Sequence, residues 1–199
     1  YTIKCMLGYF FFYQSSVETY SRKALRHEKS NLGTMFVPEI VFWDSLNLAK
    51  LYSTSTVQSK KKEYKKRILK NSKRMQIWAK NCEANYGHKY FIIQGIINEI
   101  EGNSNIALKD YHTSISLAKK HEYILEEAIA NELSAAIWSN AKEEQYEMIH
   151  LVEAHYAYVK WGSEPIVKRL LDKYPDLKRR YQPRNGDAFV TEGNRTLNG

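Results

Sequence analysis

Residues 91–111, FIIQGIINEIEGNSNIALKDY, decide the fold. Apolar residues recur three and four positions apart on both sides of Gly102, so the stretch predicts two amphipathic helices joined by a glycine turn. Large and small residues alternate at fixed offsets along it, at Phe91, Gly95, Gly102, Ala107 and Tyr111. The small residues let antiparallel helices approach closely, and the large ones fill the space toward the next pair. The stretch therefore predicts a helical hairpin.

The same helical spacing of apolar residues extends over most of the chain. Gly and Pro are rare between Pro38 and Pro165, and no segment shows the alternation of a strand, so an all-α fold is expected. Comparing the sequence with itself gives a period of about 40 residues. The matching positions of the next unit are Ala135, Lys142, Glu147, Leu151 and Ala154, of which Lys142 and Glu147 break the pattern.

These offsets resemble those of tetratricopeptide repeats. We expect an α-solenoid of at least three tetratricopeptide-like helix-hairpin repeats over residues 1–177, with a truncated first unit. Residues 178–199 are rich in Gly, Asn and Thr and poor in aliphatic residues, which predicts a disordered linker toward a following domain. The alternative to a repeat is an irregular helical bundle whose spacing is accidental.

The net charge of +8 comes from one segment. Residues 60–74 hold nine Lys and Arg and a single acid, Glu63, while the rest of the chain is balanced. Interspersed apolar residues predict a long amphipathic helix over residues 57–81 with one very positive face. Its candidate basic surface comprises Lys61, Lys62, Lys65, Lys66, Arg67, Lys70, Lys73 and Arg74. The candidate role of this surface is binding a nucleic acid or another anionic surface.

Composition excludes several classes of protein. Two distant cysteines, Cys5 and Cys82, are too few for a disulfide framework and wrongly spaced for a metal cluster, and we expect Cys82 to be a buried small hydrophobe. No apolar run is long enough for a membrane span, and no signal peptide is recognisable. We therefore expect a cytoplasmic protein that needs no cofactor and no metal.

The sequence carries none of the common catalytic signatures. The sequence has no phosphate loop, no dinucleotide-binding glycine motif and no protein-kinase motif. The histidines are not spaced as helical metal ligands, and the Glu126-Glu127 pair is expected on a solvated face because adjacent helical residues point to different sides. We therefore expect this chain to be non-catalytic.

Three stretches are more specific than helical periodicity. They are FWDSL at residues 42–46, WAKNCEANYGHKY at residues 78–90, and EAHYAYVKWG at residues 153–162, which leads to Tyr174-Pro175. In this order they resemble the helical-repeat region of large sensor histidine kinases that also carry a protein-kinase-like domain, an AAA-type ATPase module and a GAF domain. The chain departs from that family at Glu83, where proline is usual, and at Lys142, where the turn glycine is missing.

The resemblance implies an interaction scaffold and signal-relay segment of a two-component-type kinase, whose partners are the flanking kinase, ATPase and sensory domains or a peptide. No catalytic centre is implied in this chain, and a nucleic-acid role is not implied. The residues that we expect to form a structural motif are Trp78, Asn81, Cys82, Asn85, His88, Lys89, Tyr90, Trp161 and Gly162. Asn85, His88 and Lys89 are predicted to cap a helix junction near Gly87.

Overall fold

The computed structural model describes residues 2–11, 14–26 and 36–181, and every regular element in these ranges is an α-helix. The prediction of an all-α fold is therefore confirmed for the described residues. The helices are α1 (Thr2–Phe11), α2 (Gln14–Arg26), α3 (Phe36–Thr54), α4 (Gln58–Asn81), α5 (Glu83–Ile100), α6 (Ser104–Lys120), α7 (Ile124–Asn140), α8 (Glu144–Trp161), α9 (Glu164–Lys173) and α10 (Pro175–Tyr181).

The helices form two rows. From α3 to α8 each helix packs mainly on its neighbours in sequence, and the short connections between them favour antiparallel pairs. The odd-numbered helices α3, α5 and α7 also contact one another in order, whereas α4, α6 and α8 do not. The odd helices are therefore the inner row and the even helices the outer row. Helix α1 packs on α3 and reaches α9.

The turns after α5, α6 and α7 share one geometry at a spacing of twenty residues. Gly102, Glu122 and Lys142 have φ values of 81°, 63° and 60°. In each turn the next amide N–H donates to a carbonyl five residues earlier, in Asn103→Asn98 (2.8 Å), Tyr123→Ala118 (2.9 Å) and Glu143→Trp138 (3.0 Å). This is the bond of the Schellman motif, which satisfies the last carbonyls of a helix. Gly162 ends α8 in the same left-handed region, with φ 86°.

Small residues set the distance between α5 and α6. A Cβ atom at Gly95 would overlap the ring of Tyr111, which is fully buried. The Tyr111 hydroxyl donates to the Glu99 carboxylate at 3.0 Å. The offset between Gly95 and Tyr111 in the sequence therefore corresponds to a direct contact across the hairpin.

Two boundaries differ from the sequence-based expectation. Gly87 does not separate two helices, because α4 ends at Asn81 and α5 already begins at Glu83. Gly87 is instead buried inside α5, where a Cβ would lie 3.0 Å from the Leu117 side chain of α6. Residues 178–181, which were predicted to belong to the linker, are helical, since α10 continues to Tyr181 and buries Leu177; the remainder of residues 178–199 lies outside the described residues.

Candidate functional site

The outer side of α4 carries four of the eight residues of the predicted basic surface. The inner side of this helix buries Tyr64, Ile68, Asn71, Ser72 and Met75 where α4 packs on α3 and α5. At 3.6 residues per turn, the opposite side carries five exposed lysines. We call these five residues the lysine row: Lys62, Lys66, Lys70, Lys73 and Lys80.

The other four cations of the predicted surface turn toward neighbouring side chains. They are Lys61 over the Tyr52 ring, Lys65 with Glu101, Arg67 with Asp44, and Arg74 over the Trp78 ring. The two ion pairs have N–O distances of 3.0 Å for Lys65 and 2.9 Å for Arg67. Arg67 therefore helps to join α4 to α3 through a buried carboxylate and is not part of a free surface.

Most of the predicted structural motif lies at the α4–α5 junction. The Cys82 N–H donates to the Trp78 carbonyl at 2.8 Å, and the Cys82 carbonyl accepts from the Tyr86 N–H at 3.2 Å. Asn81 is the last residue of α4, and the Tyr90 hydroxyl accepts from Gln76 at 3.1 Å. Cys82 is half-buried, so the expectation of a buried side chain is wrong. Trp161 and Gly162 lie apart from this junction, at the end of α8.

Asn85, His88 and Lys89 do not cap the junction. Helix α5 begins without a side-chain capping hydrogen bond. The Asn85 Oδ1 accepts from the Tyr123 hydroxyl at 3.1 Å, and the His88 ring stacks on the Tyr123 ring with centroids 3.9 Å apart. Burial lowers the pKa of His88 to about 3, and the neighbouring Lys89 adds to the shift. These side chains therefore join α5 to α7 and its preceding turn.

Lys89 is the centre of a buried ionic cluster between three inner helices. Its Nζ lies 2.7 Å from Glu126 of α7 and 3.0 Å from Glu39 of α3. Burial lowers the pKa of Lys89, but the two carboxylates outweigh burial and hold the pKa above its ordinary value. The prediction that Glu126 lies on a solvated face is wrong, because only 6% of the residue is exposed.

A second ionic cluster joins α7, α8 and α9. The buried Glu132 carboxylate accepts hydrogen bonds from Arg169 at 2.9 and 2.5 Å, from Lys173 at 3.1 Å and from the Tyr158 hydroxyl at 3.0 Å. Burial alone would raise the pKa of Glu132, but these cations and hydrogen bonds lower it to about 2. Sequence reasoning missed this cluster, since no local pattern pairs Glu132 with Arg169.

A cleft of about 330 Å³ lies between the end of α1 and helices α3 and α5, lined among others by Tyr9, Leu46, Lys50 and Ile96. The Lys50 ammonium donates to the Tyr9 carbonyl in the last turn of α1. A cation at a helix C-terminus is stabilised by the last carbonyl groups. Burial lowers the pKa of Lys50 to about 8. Lys50 therefore links α3 to the C-terminus of α1.

The histidines of the described ranges are not arranged as a metal site. His112 and His150 have ring centroids 6.2 Å apart, and His150 Nδ1 lies 2.9 Å from Asn131 Oδ1. In the described part of the chain no three His, Cys, Asp or Glu residues are placed to hold a metal ion. Nor does any helix in those ranges combine the length and the apolar character needed to cross a membrane.

The outer side of α8 carries an apolar seam that sequence reasoning missed. We call Ile149, Val152, Tyr156 and Val159 the α8 seam; Val152 is half-buried, and the others are 58%, 66% and 52% exposed. Their spacing of three, four and three residues is that of the apolar positions of a coiled coil. The spacing is visible in the sequence. The sequence does not show, however, which apolar stripe of a helix remains exposed after the helices pack.

The same positions of α6, forty residues earlier, hold only polar side chains. They are Lys109, His112, Ser116 and Lys119, all exposed. Beside the α8 seam an open groove of about 1150 Å³ separates α8 from α10. Glu144 and Glu147 line its α8 wall, and Arg179 and Arg180 line its α10 wall.

Comparisons with known proteins identified no relative. No family model matches the chain, and neither a curated protein nor a solved structure matches it.

Proposed function

We propose that this chain is a non-catalytic scaffold of tetratricopeptide-like helical hairpins that binds an amphipathic helix along the α8 seam. The observation that carries the proposal is this apolar seam, which is exposed on α8 where α6 has polar residues. Exposed apolar stripes of this length on an otherwise polar surface are typical of protein interaction sites.

The repeat part of the proposal is supported by the turns. Left-handed residues recur at positions 102, 122, 142 and 162, so two helices and two turns make a unit of forty residues. A hairpin that recurs with one turn geometry stacks each unit on the previous one in the same way. Such a stack is an α-solenoid, and the inner contacts from α3 to α5 and from α5 to α7 follow this order.

The chemistry of the partner follows from the seam and its groove. Apolar positions three and four residues apart accept the matching positions of a second helix. Glu144 and Glu147 favour basic residues on one flank of that helix, and Arg180 favours acidic residues on the other, where Arg179 is paired with Asp176. The proposed occupant is therefore an amphipathic helix with oppositely charged flanks, contributed by a flanking domain or by a partner protein.

The proposal also concerns the larger protein to which this segment would belong. We infer a sensor histidine kinase with an ATPase module, in which this segment relays the state of one domain to the next. This inference rests on the resemblance of residues 42–46, 78–90 and 153–162 alone. Docking at the α8 seam is independent of it and is tested separately.

The test uses a synthetic helical peptide with leucine at its seam positions, lysine on one flank and glutamate on the other. We expect saturable binding to the chain by fluorescence anisotropy. The double substitution Ile149→Asp with Tyr156→Asp should abolish binding, because it places two charges in the apolar contact.

The matched control is Lys109→Asp with Ser116→Asp, which changes the equivalent positions of α6. The control should bind the peptide like the parent chain, and both variants should retain the helical circular dichroism of the parent. Absence of saturable binding, or equal loss in both variants, would refute docking at the seam.

A further inference from the structure

We propose that the lysine row of α4 is a docking surface for a bilayer that contains anionic phospholipids. The five lysines lie on the side of α4 that faces away from α3 and α5. From Lys62 to Lys80 the row is eighteen residues long, which corresponds to about 27 Å along the helix axis. It is a straight line of cations on the outer row of helices.

The charge of the row is available for an external partner. None of the five lysines forms an ion pair with a carboxylate in the described ranges, whereas Lys65 and Arg67 of the same helix do. Helix α4 contains ten Lys and Arg and one acid, Glu63. Because neighbouring like charges repel one another, an arrangement of this kind gains free energy when an anionic surface neutralises it.

Helix α2 adds further positive charge beside the row. Arg22 lies 3.8 Å from Glu63, the single acid of α4, and bonds to Glu18 in its own helix. Lys23 and Arg26 are exposed on α2. The positive surface therefore extends over two helices. The only carboxylate of α4, Glu63, lies within it and is close to Arg22 of α2.

The side chains of the row favour a bilayer over a nucleic acid. Two apolar residues, Ile77 at 60% exposure and Leu69 at 37%, lie among the lysines and can enter the boundary between headgroups and acyl chains. Arginine is the usual residue for bidentate phosphate contacts, yet Arg67 and Arg74 turn toward the protein. The row also has no aromatic side chain on which a base could stack.

The shape of the outer surface of α4 also favours a bilayer over a nucleic acid. An outer helix is a convex ridge, and a ridge contacts a flat surface along its whole length. A single strand of nucleic acid is usually held in a positively charged groove with stacking side chains, which a ridge does not provide. The lysines and the two apolar residues occupy the line along which such a ridge would touch a bilayer.

The experiment measures sedimentation of the full chain with vesicles of phosphatidylcholine and phosphatidylserine. Vesicles of phosphatidylcholine alone are the lipid control. We expect binding only to the anionic vesicles, and binding that weakens steeply as salt is raised because surface charges are screened. Each lysine of the row should contribute about a fivefold increase in partitioning.

The test variant carries Lys62→Gln, Lys66→Gln, Lys70→Gln and Lys73→Gln. The matched control carries Lys109→Gln, Lys120→Gln, Lys160→Gln and Lys168→Gln, which removes the same net charge from exposed positions elsewhere. The row variant should lose vesicle binding by several hundredfold, that is, about fivefold for each of the four lysines. The control should lose far less. Ile77→Asn should also weaken binding, and because it removes an apolar contact, this loss should not depend on the salt concentration.

Three results would overturn the proposal. Equal binding to neutral and anionic vesicles would remove the electrostatic basis, and equal loss in both quadruple variants would remove the role of the row. Tighter binding to duplex DNA or RNA than to anionic vesicles at the same salt would assign the surface to a nucleic acid. Circular dichroism melting curves of both variants establish that a loss of binding is not a loss of folding.

Discussion

Helices α4 and α8 have the same place in the fold and opposite outer surfaces. Both lie in the outer row and bury one face against inner helices, with Ile68 and Met75 in α4 and Leu151 and Tyr158 in α8. Outward, α4 presents the lysine row and α8 an apolar seam. Packing constrains the buried face of an outer helix and leaves its outer face free to differ, so the outer faces are where a partner can be specified.

The largest effect that sharpens this comparison should come from Glu132 of α7, whose carboxylate bonds to Tyr158 on the buried side of α8. Glu132→Gln should lower the free energy of unfolding by about 4 kcal/mol, because the largely buried Arg169 and the more exposed Lys173 lose the carboxylate that compensates their charge. Urea denaturation at neutral pH measures the loss. A change below about 1 kcal/mol would mean that water already compensates these cations.

The same residue predicts a dependence on pH. Its folded pKa of about 2 lies below the ordinary value of 4.5, so its stabilisation is present above pH 4.5 and is lost as the pH falls toward 2. The loss amounts to about 3 kcal/mol at 1.36 kcal/mol per pKa unit. The difference in stability between the parent and Glu132→Gln should therefore shrink over this interval, and a constant difference would contradict the assignment.

A second effect tests the close approach of the α5–α6 hairpin. Gly95→Ala should lower the free energy of unfolding by about 2 kcal/mol, because the new methyl group would overlap the buried Tyr111 ring. Gly87→Ala is the matched control in the same helix. There the nearest atoms are the Cγ of Glu83 and the Cδ1 of Leu117, which are aliphatic atoms of movable side chains, and the gain in helix propensity offsets their displacement. Equal losses at both positions would argue against the contact with Tyr111.

A third and smaller effect tests the turn geometry. Lys142→Gly should raise the free energy of unfolding by about 1 kcal/mol, since a side chain at φ 60° is strained and glycine is not. Lys120→Gly, in the last turn of α6, should instead lower it by about 1 kcal/mol because it weakens a helix. Thermal denaturation compares the two. Destabilisation by Lys142→Gly would mean that the lysine side chain itself supports the turn.

The smallest effects on stability are expected on the two outer faces themselves. Lys66→Gln in α4 and Ile149→Ser in α8 should each change the free energy of unfolding by less than about 0.5 kcal/mol, because both side chains are exposed. Urea denaturation measures both. A loss above about 2 kcal/mol at Ile149 would show that the α8 seam is part of the core and not a docking surface.

Several features of the fold were predictable because they are local. Apolar spacing predicts the helices, and the Gly102 turn follows from the preference of the left-handed region for glycine. The turns at Glu122 and Lys142 have the same geometry without glycine, so residue type alone does not reveal them. The prediction was wrong at Gly87, which lies inside α5. A small residue can allow two helices to pack closely, just as it can allow a turn, and the sequence does not distinguish these two roles.

The candidate site was predictable only in part. Sequence reasoning found the charge of α4 but could not separate Lys66, which is exposed, from Arg67, which bonds to Asp44 of α3. It placed Glu126 on a solvated face because it considered only the helix that carries this residue. The partner, Lys89, lies on another helix.

The sequence by itself determined the helical character of the described residues, the turn at Gly102 and the position of the excess positive charge. Each of these depends on intervals within one or two helices, which local periodicity encodes. Only the tertiary structure decided that Glu132 meets Arg169, that the α8 seam is left uncovered and that five lysines of α4 face outward together. These depend on how helices distant in sequence are placed side by side, and that placement follows from the packing of many side chains at once.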